Sequence, residues 1–244
     1  MILKGARQAR EFTSHLAEAV THNDITGGLQ TLEPIIHDKN PFRLLDLVGA
    51  GIADCHTAAL FPFLDAIAAS NAEGGWVVIA SALHSHHEQS MPFRLQKAQD
   101  YIIQADIWYG ADIFGERVPG PFLLENFNCT LDQLTAWTHH PNPWIRRTMG
   151  VAVHFWAKRT RSEENQIDHA HLLLDLLAPL LEERDMRAAK GIGWGLKTLG
   201  RYFPETAAEW LREQLLIQRR CPFAVVRRKA LTYLPDHIKG EFSK

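Results

Sequence analysis

The spacing of apolar side chains is the feature that most limits how this chain can fold. Phe12, Leu16 and Val20 recur at helical intervals, which places them on one face of an α-helix. A second such face comprises Leu172, Leu173, Leu176, Leu177 and Leu180. Alternating apolar and polar runs of strand length are scarce, so the sequence predicts an all-α fold.

Capping residues and prolines predict where individual helices begin. Asn142 followed by proline is typical of a helix start and opens Trp144–Lys158, and Asp185 can cap a helix over Met186–Tyr202. Similar signals predict further helices at Phe63–Ala69 after Pro62, from Leu131 behind Thr130, at Asn165–Leu181, at Glu205–Arg219 after Pro204, and at Phe223–Tyr233 after Pro222.

The spacing of these helices indicates a repeat. A helix begins about every 20 residues and a pair about every 40, which is the period of HEAT-type repeats. We therefore predict one HEAT-like domain over residues 1–244, a curved α-α superhelix (solenoid) of antiparallel helix pairs, with an ordinary all-α bundle as the alternative. Gly27-Gly28 and Pro34 punctuate the N-terminal part, and the strongest break, Val118-Pro-Gly-Pro121, is predicted to be a loop within the domain.

Charge is distributed unevenly along the chain. Residues 1–144 contain 8 basic and 16 acidic side chains, a balance of −8, whereas residues 145–244 contain 18 and 12, a balance of +6. The two balances sum to the net charge of −2. A basic C-terminal part favours a polyanionic partner, nucleic acid first, and an arginine-rich solvated surface is the alternative.

The sequence also excludes several classes of protein. No apolar run approaches the ~20 residues of a membrane-spanning helix, and the N-terminus lacks the order of a signal peptide. Cys55, Cys129 and Cys221 lie far apart and form no CxxC pair, which fits a reducing compartment. We expect a cytoplasmic protein that does not associate with membranes and that lies with the nucleoid if its source is bacterial.

One predicted helix carries cations around a tryptophan. Within Met186–Tyr202 the residues aligned on one side are Arg187, Lys190, Trp194, Lys197 and Arg201. Burying four unpaired charges would be very costly, so we expect this side at the surface or along a groove. Cations beside an aromatic ring suit a phosphate backbone with a sugar or base against the ring. The alternative to a nucleic-acid site is an ordinary protein surface, on which extended cationic side chains surround a half-buried tryptophan.

Two shorter motifs pair a tryptophan with a charged residue. Trp108 and Asp112 share a helical face, where a ring beside a carboxylate can stabilise a developing cation; a surface aspartate beside a core tryptophan is the alternative. Trp144 and Arg147 share a face near a helix N-terminus, with Arg146 beside them. This arrangement is suited to binding phosphate. The alternative is a core tryptophan with arginines at the surface.

The remaining candidates are a basic run and a group of histidines. Arg227, Arg228 and Lys229 lie in the last clear predicted helix and can hold phosphate or simply be solvated. The three histidines within residues 84–87 lack cysteine and distant partners, so we predict no metal site. Neither a nucleotide-binding fingerprint nor a GxSxG or HExxH motif occurs.

Four of these segments, in this order and spacing, resemble a known family. They are Trp108-Tyr-Gly-Ala-Asp112, Asn142-Pro-Trp-Ile-Arg-Arg147, Lys190-Gly-Ile-Gly-Trp-Gly-Leu-Lys197 and Arg227-Arg-Lys-Ala-Leu231. Over residues 95–235 the chain resembles the HEAT-like-repeat DNA alkylation repair proteins, the AlkD-type alkylpurine DNA glycosylases. The resemblance implies a curved stack of helix pairs whose basic concave face holds duplex DNA.

The resemblance also implies roles for single residues. Asp112 would be the catalytic carboxylate, and Arg147 would bind phosphate near the lesion. Trp108 and Trp194 would be aromatic walls against the deoxyribose. The further DNA contacts that we predict are Arg146, Arg187, Lys190, Lys197, Arg201, Arg227, Arg228 and Lys229.

The activity implied by the resemblance is base excision. Members of this family excise N3- and N7-alkylated purines without a metal and without flipping the base into a pocket, unlike most glycosylases. We therefore expect a monofunctional, monomeric glycosylase without cofactor that acts on duplex DNA containing alkylated purines. Two alternatives stay open: a non-catalytic HEAT-like protein that binds damaged or branched DNA, and a helical scaffold for an acidic protein partner.

Overall fold

The computed structural model describes residues 1–242, and every regular element among them is helical. This confirms the prediction of an all-α fold. The chain divides into two compact units, with the boundary between Val118 and Pro119. That residues 1–244 form one repeat domain stays a prediction. Among the described residues, no helix combines the length and hydropathy needed to cross a membrane.

The first unit is built from α1 (Ala6–Thr21), α2 (Ile25–Ile36), α3 (Phe42–Ile52), α4 (Thr57–Ala69), α5 (Glu73–Ser85), α6 (Met91–Ala105) and α7 (Trp108–Arg117). Helices α1, α3, α5 and α7 pack in succession as one layer, and α2, α4 and α6 form a second layer. Each helix therefore packs on the helix two places along the chain. That pattern is typical of stacked helix pairs rather than of an ordinary bundle.

The second unit repeats this arrangement with α8 (Pro119–Glu125), α9 (Phe127–Thr135), α10 (Pro143–Thr160), α11 (Ile167–Leu177), α12 (Met186–Tyr202), α13 (Pro204–Arg212), α14 (Ala224–Ala230) and α15 (Asp236–Lys239). Helices α8, α10, α12 and α14 form one layer, and α9, α11 and α13 form the other. Within each unit the helices are thus stacked as in an α-α solenoid, as predicted.

Two helices of the first unit run through residues that we predicted to interrupt or open helices. Helix α2 contains Gly27, Gly28 and Pro34, and α4 begins well before Pro62. Both predictions are wrong because burial of the apolar faces outweighs the weak helix propensity of these residues. Gly28 also has a packing role, since a Cβ at this position would lie 2.8 Å from the Phe63 ring.

Two predicted boundaries near the start of the second unit are also wrong. Helix α9 begins at Phe127, a buried residue, and Thr130 lies inside it. The Thr130 hydroxyl donates to the Asn126 carbonyl oxygen at 2.8 Å instead of capping a helix. The loop predicted at Val118-Pro-Gly-Pro121 is largely helical, because α8 begins at Pro119 and a first turn tolerates a missing N–H.

The two predicted caps later in the chain are confirmed. Asn142 accepts from the Trp144 N–H at 2.8 Å, and Asp185 accepts from the Arg187 N–H at 2.9 Å. The last helices are shorter than predicted, since α13 gives way to a π-helical stretch over Glu213–Ile217 and α14 ends at Ala230. For α13 and α14, the helix starts therefore agree with the prediction better than the helix ends do.

Helices α10 and α12 cross at backbone contact. A Cβ at Gly150 would lie 2.1 Å from the carbonyl oxygen of Gly191, and one at Gly195 would lie 2.7 Å from the carbonyl oxygen of Gly150. A Cβ at Gly191 would meet the Arg147 carbonyl oxygen at 2.5 Å. Only hydrogen fits at these positions. The glycines after Lys190 thus serve helix packing and form no phosphate loop.

We expect Gly150→Ala to lower the free energy of unfolding by about 1–3 kcal/mol, because the added methyl group must push two backbones apart. Chemical denaturation of the whole protein measures this loss. Gly240→Ala is the matched control, since a Cβ there meets nothing within 4 Å. Equal stability of the two variants would contradict the close crossing.

Candidate nucleic-acid interface

The first unit presents Trp108 and Asp112, the aromatic–carboxylate pair, one turn apart on α7. The helix continues through Gly110 and Gly115, so the pair shares a helical face as predicted. Trp108 is 56% exposed, which rules out the alternative of a core tryptophan, and Asp112 is half-buried. The Trp108 ring meets Tyr109 edge-on with centroids 5.7 Å apart.

Helix α7 is tied to the core of its unit by polar and aromatic contacts. Arg117 donates to Asp46 from Nε at 2.6 Å and from Nη2 at 3.4 Å, and the Ser81 hydroxyl donates to the same carboxylate at 2.7 Å. The Phe114 ring stacks on Tyr101 with centroids 6.2 Å apart. These contacts fix the helix whose outer face carries the aromatic–carboxylate pair.

The second unit presents the cationic face of α12, which comprises Arg187, Lys190, Trp194, Lys197 and Arg201. Arg187, Lys190 and Arg201 are exposed, whereas Trp194 and Lys197 are half-buried. The opposite face of the helix is buried, as its apolar spacing predicted. Among the described residues, Lys190, Lys197 and Arg201 have no carboxylate within salt-bridge distance. These three charges are therefore available to an external anion.

The Trp194 ring lies against a buried histidine. The His154 ring stacks on Trp194 with centroids 4.1 Å apart and planes inclined by 27°. Nδ1 of His154 lies 2.7 Å from Oγ1 of Thr198, whose hydroxyl donates to the Trp194 carbonyl oxygen at 2.9 Å. Burial, with a smaller contribution from the charge of Lys158, lowers the pKa of His154 to about 4. At neutral pH a neutral imidazole therefore supports the tryptophan.

Arg146 and Arg187 form ion pairs within the protein. Arg146 donates from Nε to Glu183 at 2.5 Å and from Nη1 to the His140 carbonyl oxygen at 2.6 Å. Arg187 donates to both oxygens of Asp185, and this hydrogen bonding lowers the pKa of Asp185 to about 2. Both arginines brace the start of α12, and their role in DNA binding stays a prediction.

Arg147 is buried where α10 crosses α12. It is 8% exposed, and its Nη1 donates to the Arg187 carbonyl oxygen at 3.1 Å. Trp144 is also buried, with the Arg187 guanidinium 5.6 Å from its ring centroid. The alternative of a core tryptophan with surface arginines is thus correct for Trp144 and wrong for Arg147, and phosphate binding by Arg147 stays a prediction.

The basic run on α14 lies next to α12. Nζ of Lys229 donates to the Lys190 carbonyl oxygen at 2.8 Å, which joins the two helices. Arg227 donates to the Phe242 carbonyl oxygen, and Arg228 is exposed. Contact of the three cations with DNA stays a prediction.

Tyr233 is a residue that the sequence analysis missed. Its ring lies 4.9 Å from Nζ of Lys197 and 5.2 Å from the guanidinium of Arg201, and it is 45% exposed. It therefore extends the cationic face with a second aromatic ring. No spacing rule relates Tyr233 to α12, whereas His154 could have been noticed because it follows Arg147 by two helical turns.

His86, one of the three histidines near residue 85, has a structural role. Buried His86 places Nδ1 2.7 Å from the Ala53 carbonyl oxygen and Nε2 3.0 Å from Oγ1 of Thr57, so it links the end of α3 to the start of α4. Within residues 1–242, no three His, Cys, Asp or Glu side chains form a group that could hold a metal ion.

The low pKa of His154 predicts a pH-dependent stability. As pH falls from 6.5 to about 4, the unfolded chain binds a proton at this residue before the folded protein does, so the folded state loses stability. His154→Phe should remove this contribution, and its melting temperature should fall less between pH 7 and pH 5 than that of the native protein. His139→Phe, at an exposed histidine, is the control. An unchanged fall in His154→Phe would contradict the neutral stacked imidazole.

Comparison with known proteins identifies the family of the chain. A family model described as "DNA alkylation repair enzyme" matches residues 61–234, which is more than half of the chain. The matched segment includes both the aromatic–carboxylate pair and the cationic face. No curated protein matches the chain. The extent of the family match shows that this chain belongs to the DNA alkylation repair enzyme family.

Proposed function

We propose that this protein is a monofunctional DNA glycosylase that hydrolyses the N-glycosidic bond of N3- and N7-alkylated purines in duplex DNA. The observation that carries the proposal is the aromatic–carboxylate pair on the outer face of α7, within the segment that matches the family. A carboxylate beside an exposed aromatic ring suits a reaction in which positive charge develops on a sugar.

The reaction needs negative charge more than it needs a proton donor. An N3- or N7-alkylpurine is cationic, so it departs as a neutral base without prior protonation. The bond between C1′ and the base nitrogen breaks with its electron pair going to the base, and the sugar becomes oxocarbenium-like. Water then adds to C1′ and loses a proton, which leaves an abasic site and a free alkylpurine.

Asp112 is proposed to stabilise the sugar cation and to orient the attacking water. Its helix is held by the contacts of Arg117 and Phe114, so the carboxylate requires little reorganisation during the reaction. The face of Trp108 adds a cation–π attraction of about 0.5–2 kcal/mol, which is too small to drive catalysis alone. Asp112 therefore carries the main electrostatic contribution.

The cationic face of α12 is proposed to hold the DNA backbone. Lys190, Lys197 and Arg201 have no carboxylate partner among the described residues, so phosphate can neutralise them without breaking an ion pair. Trp194 and Arg147 are proposed to act as the resemblance implies, on the deoxyribose and on phosphate. The His154 ring supports this role of Trp194 by limiting the positions of its indole.

We expect Asp112→Asn to reduce the release of N7-methylguanine from duplex DNA by about 100-fold or more, because the amide cannot stabilise the sugar cation. Single-turnover base release in the presence of EDTA measures the effect. Affinity for the duplex should stay unchanged, since the carboxylate does not bind phosphate.

Asp132→Asn is the matched control, because it removes an exposed carboxylate from α9. Undiminished release by Asp112→Asn would overturn the assignment of the catalytic carboxylate. If the native protein releases neither N7-methylguanine nor N3-methyladenine but binds duplex DNA in a salt-dependent way, the non-catalytic alternative is correct.

Replacing both Lys197 and Arg201 with glutamine should weaken binding to undamaged duplex DNA. The slope of log affinity against log salt should decrease in magnitude by about 2, because two fewer counterions are released. Fluorescence anisotropy over a salt series measures the slope. A double variant of Arg10 and Lys39, two exposed cations of the first unit, is the control, and equal slopes in the two variants would contradict this interface.

A further inference from the structure

A second cationic region lines a cavity near the end of the second unit. The cavity has a volume of about 630 Å³ and lies between the segment that precedes α12 and helix α14. Its main lining residues are Arg184, Phe223, Arg227, Arg228, Leu231 and Phe242. This volume lies within the range of about 300–1,000 Å³ that is usual for small-molecule sites.

Among the described residues, the three arginines of this cavity form no close ion pair, although the pKa of Glu182 is lowered by the hydrogen bond from the Cys221 N–H and, to a smaller extent, by the charges of Arg220 and Arg184. Within residues 1–242, none of Arg184, Arg227 and Arg228 lies within salt-bridge distance of a carboxylate. The acidic residues close to Arg184 in the chain accept hydrogen bonds from other groups: Glu183 from Arg146, Asp185 from Arg187, and Glu182 from the Cys221 N–H and Arg220. Glu241 likewise accepts from Arg212. The cavity therefore brings together three positive charges, and a bound anion would reduce the repulsion between them.

Two of the guanidinium groups are oriented by contacts with the backbone. Arg184 donates from Nη2 to the Cys221 carbonyl oxygen at 3.2 Å, and Arg227 donates to the Phe242 carbonyl oxygen. Each of these bonds uses one donor, and a guanidinium has several more. Arg228 is exposed, and its guanidinium adds a third forked set of N–H donors. Such forks match the oxygens of a phosphate group.

The rest of the lining is apolar. The Arg184 guanidinium lies over the Phe223 ring, 5.7 Å from its centroid, so the cation covers one face of the ring and the rest of the ring lines the cavity. Leu231 and Phe242 contribute further apolar surface. A ligand that matches this lining carries an anionic group joined to a flat, largely apolar body. Inorganic phosphate alone would leave the aromatic surface unused.

We infer that this cavity is a nucleotide site, in which Arg184, Arg227 and Arg228 bind a phosphate group and Phe223 contacts the attached nucleoside. The phosphate can belong to a free nucleotide or to the 5′ end of a DNA strand, since both present the same chemistry. The inference goes beyond base excision and requires no step of that reaction.

Calorimetric titration of the whole protein with adenosine 5′-monophosphate, without DNA, tests the site. We expect this nucleotide to bind more tightly than adenosine or inorganic phosphate, and Arg228→Gln to weaken its binding about tenfold. Arg219→Gln, at an exposed arginine outside the lining, should leave the binding unchanged. The inference is overturned if inorganic phosphate binds as tightly as the nucleotide, or if Arg228→Gln has no effect.

Two duplexes distinguish the sources of the phosphate. If ends with 5′-phosphate bind more tightly than 5′-hydroxyl ends, and Arg228→Gln abolishes the difference, the ligand is a strand end. If the two duplexes bind equally while the mononucleotide binds, the ligand is a free nucleotide. Base release by the native protein is measured separately, so a failed nucleotide site and a failed glycosylase assignment give different results.

Discussion

The close crossing of α10 and α12 is the contact on which the second unit depends. Because glycines on both helices remove the side chains from the crossing, the two backbones meet directly. This approach holds His154 against Trp194 and brings Arg147 to the Arg187 carbonyl oxygen. The cationic face of α12 therefore takes its geometry from a packing constraint on the adjoining side of the same helix.

Electrostatics divides the basic residues into two groups. Arg117, Arg146 and Arg212 form ion pairs with carboxylates and hold helices or termini in place. In the described part of the chain, Lys190 and Lys197 have no such partner. Part of the positive charge in the C-terminal part thus lies on α12 without an ion-pair partner among the described residues, and this distribution favours a polyanionic partner.

Sequence patterns predicted the parts of the fold that depend on local chemistry. The caps at Asn142 and Asp185 can be recognised from the residue type and its immediate neighbours in the sequence. Both helices begin where predicted. Predictions failed at Thr130 and Pro62, because residues far away in the chain bury those segments and keep them helical. The aligned cations of α12 were predictable for the same reason as the caps, since helical spacing is a local property.

The sequence by itself determined the helical class, the spacing of the helix pairs and which side chains share the face of α12. Only the tertiary structure decided which cations keep an unpaired charge, that Arg147 is buried, and that His154 and Tyr233 adjoin the cationic face. The physical reason is distance along the chain. Helical periodicity and capping act over a few residues, whereas burial and ion pairing depend on residues such as Arg146 and Glu183 that meet only when helices stack.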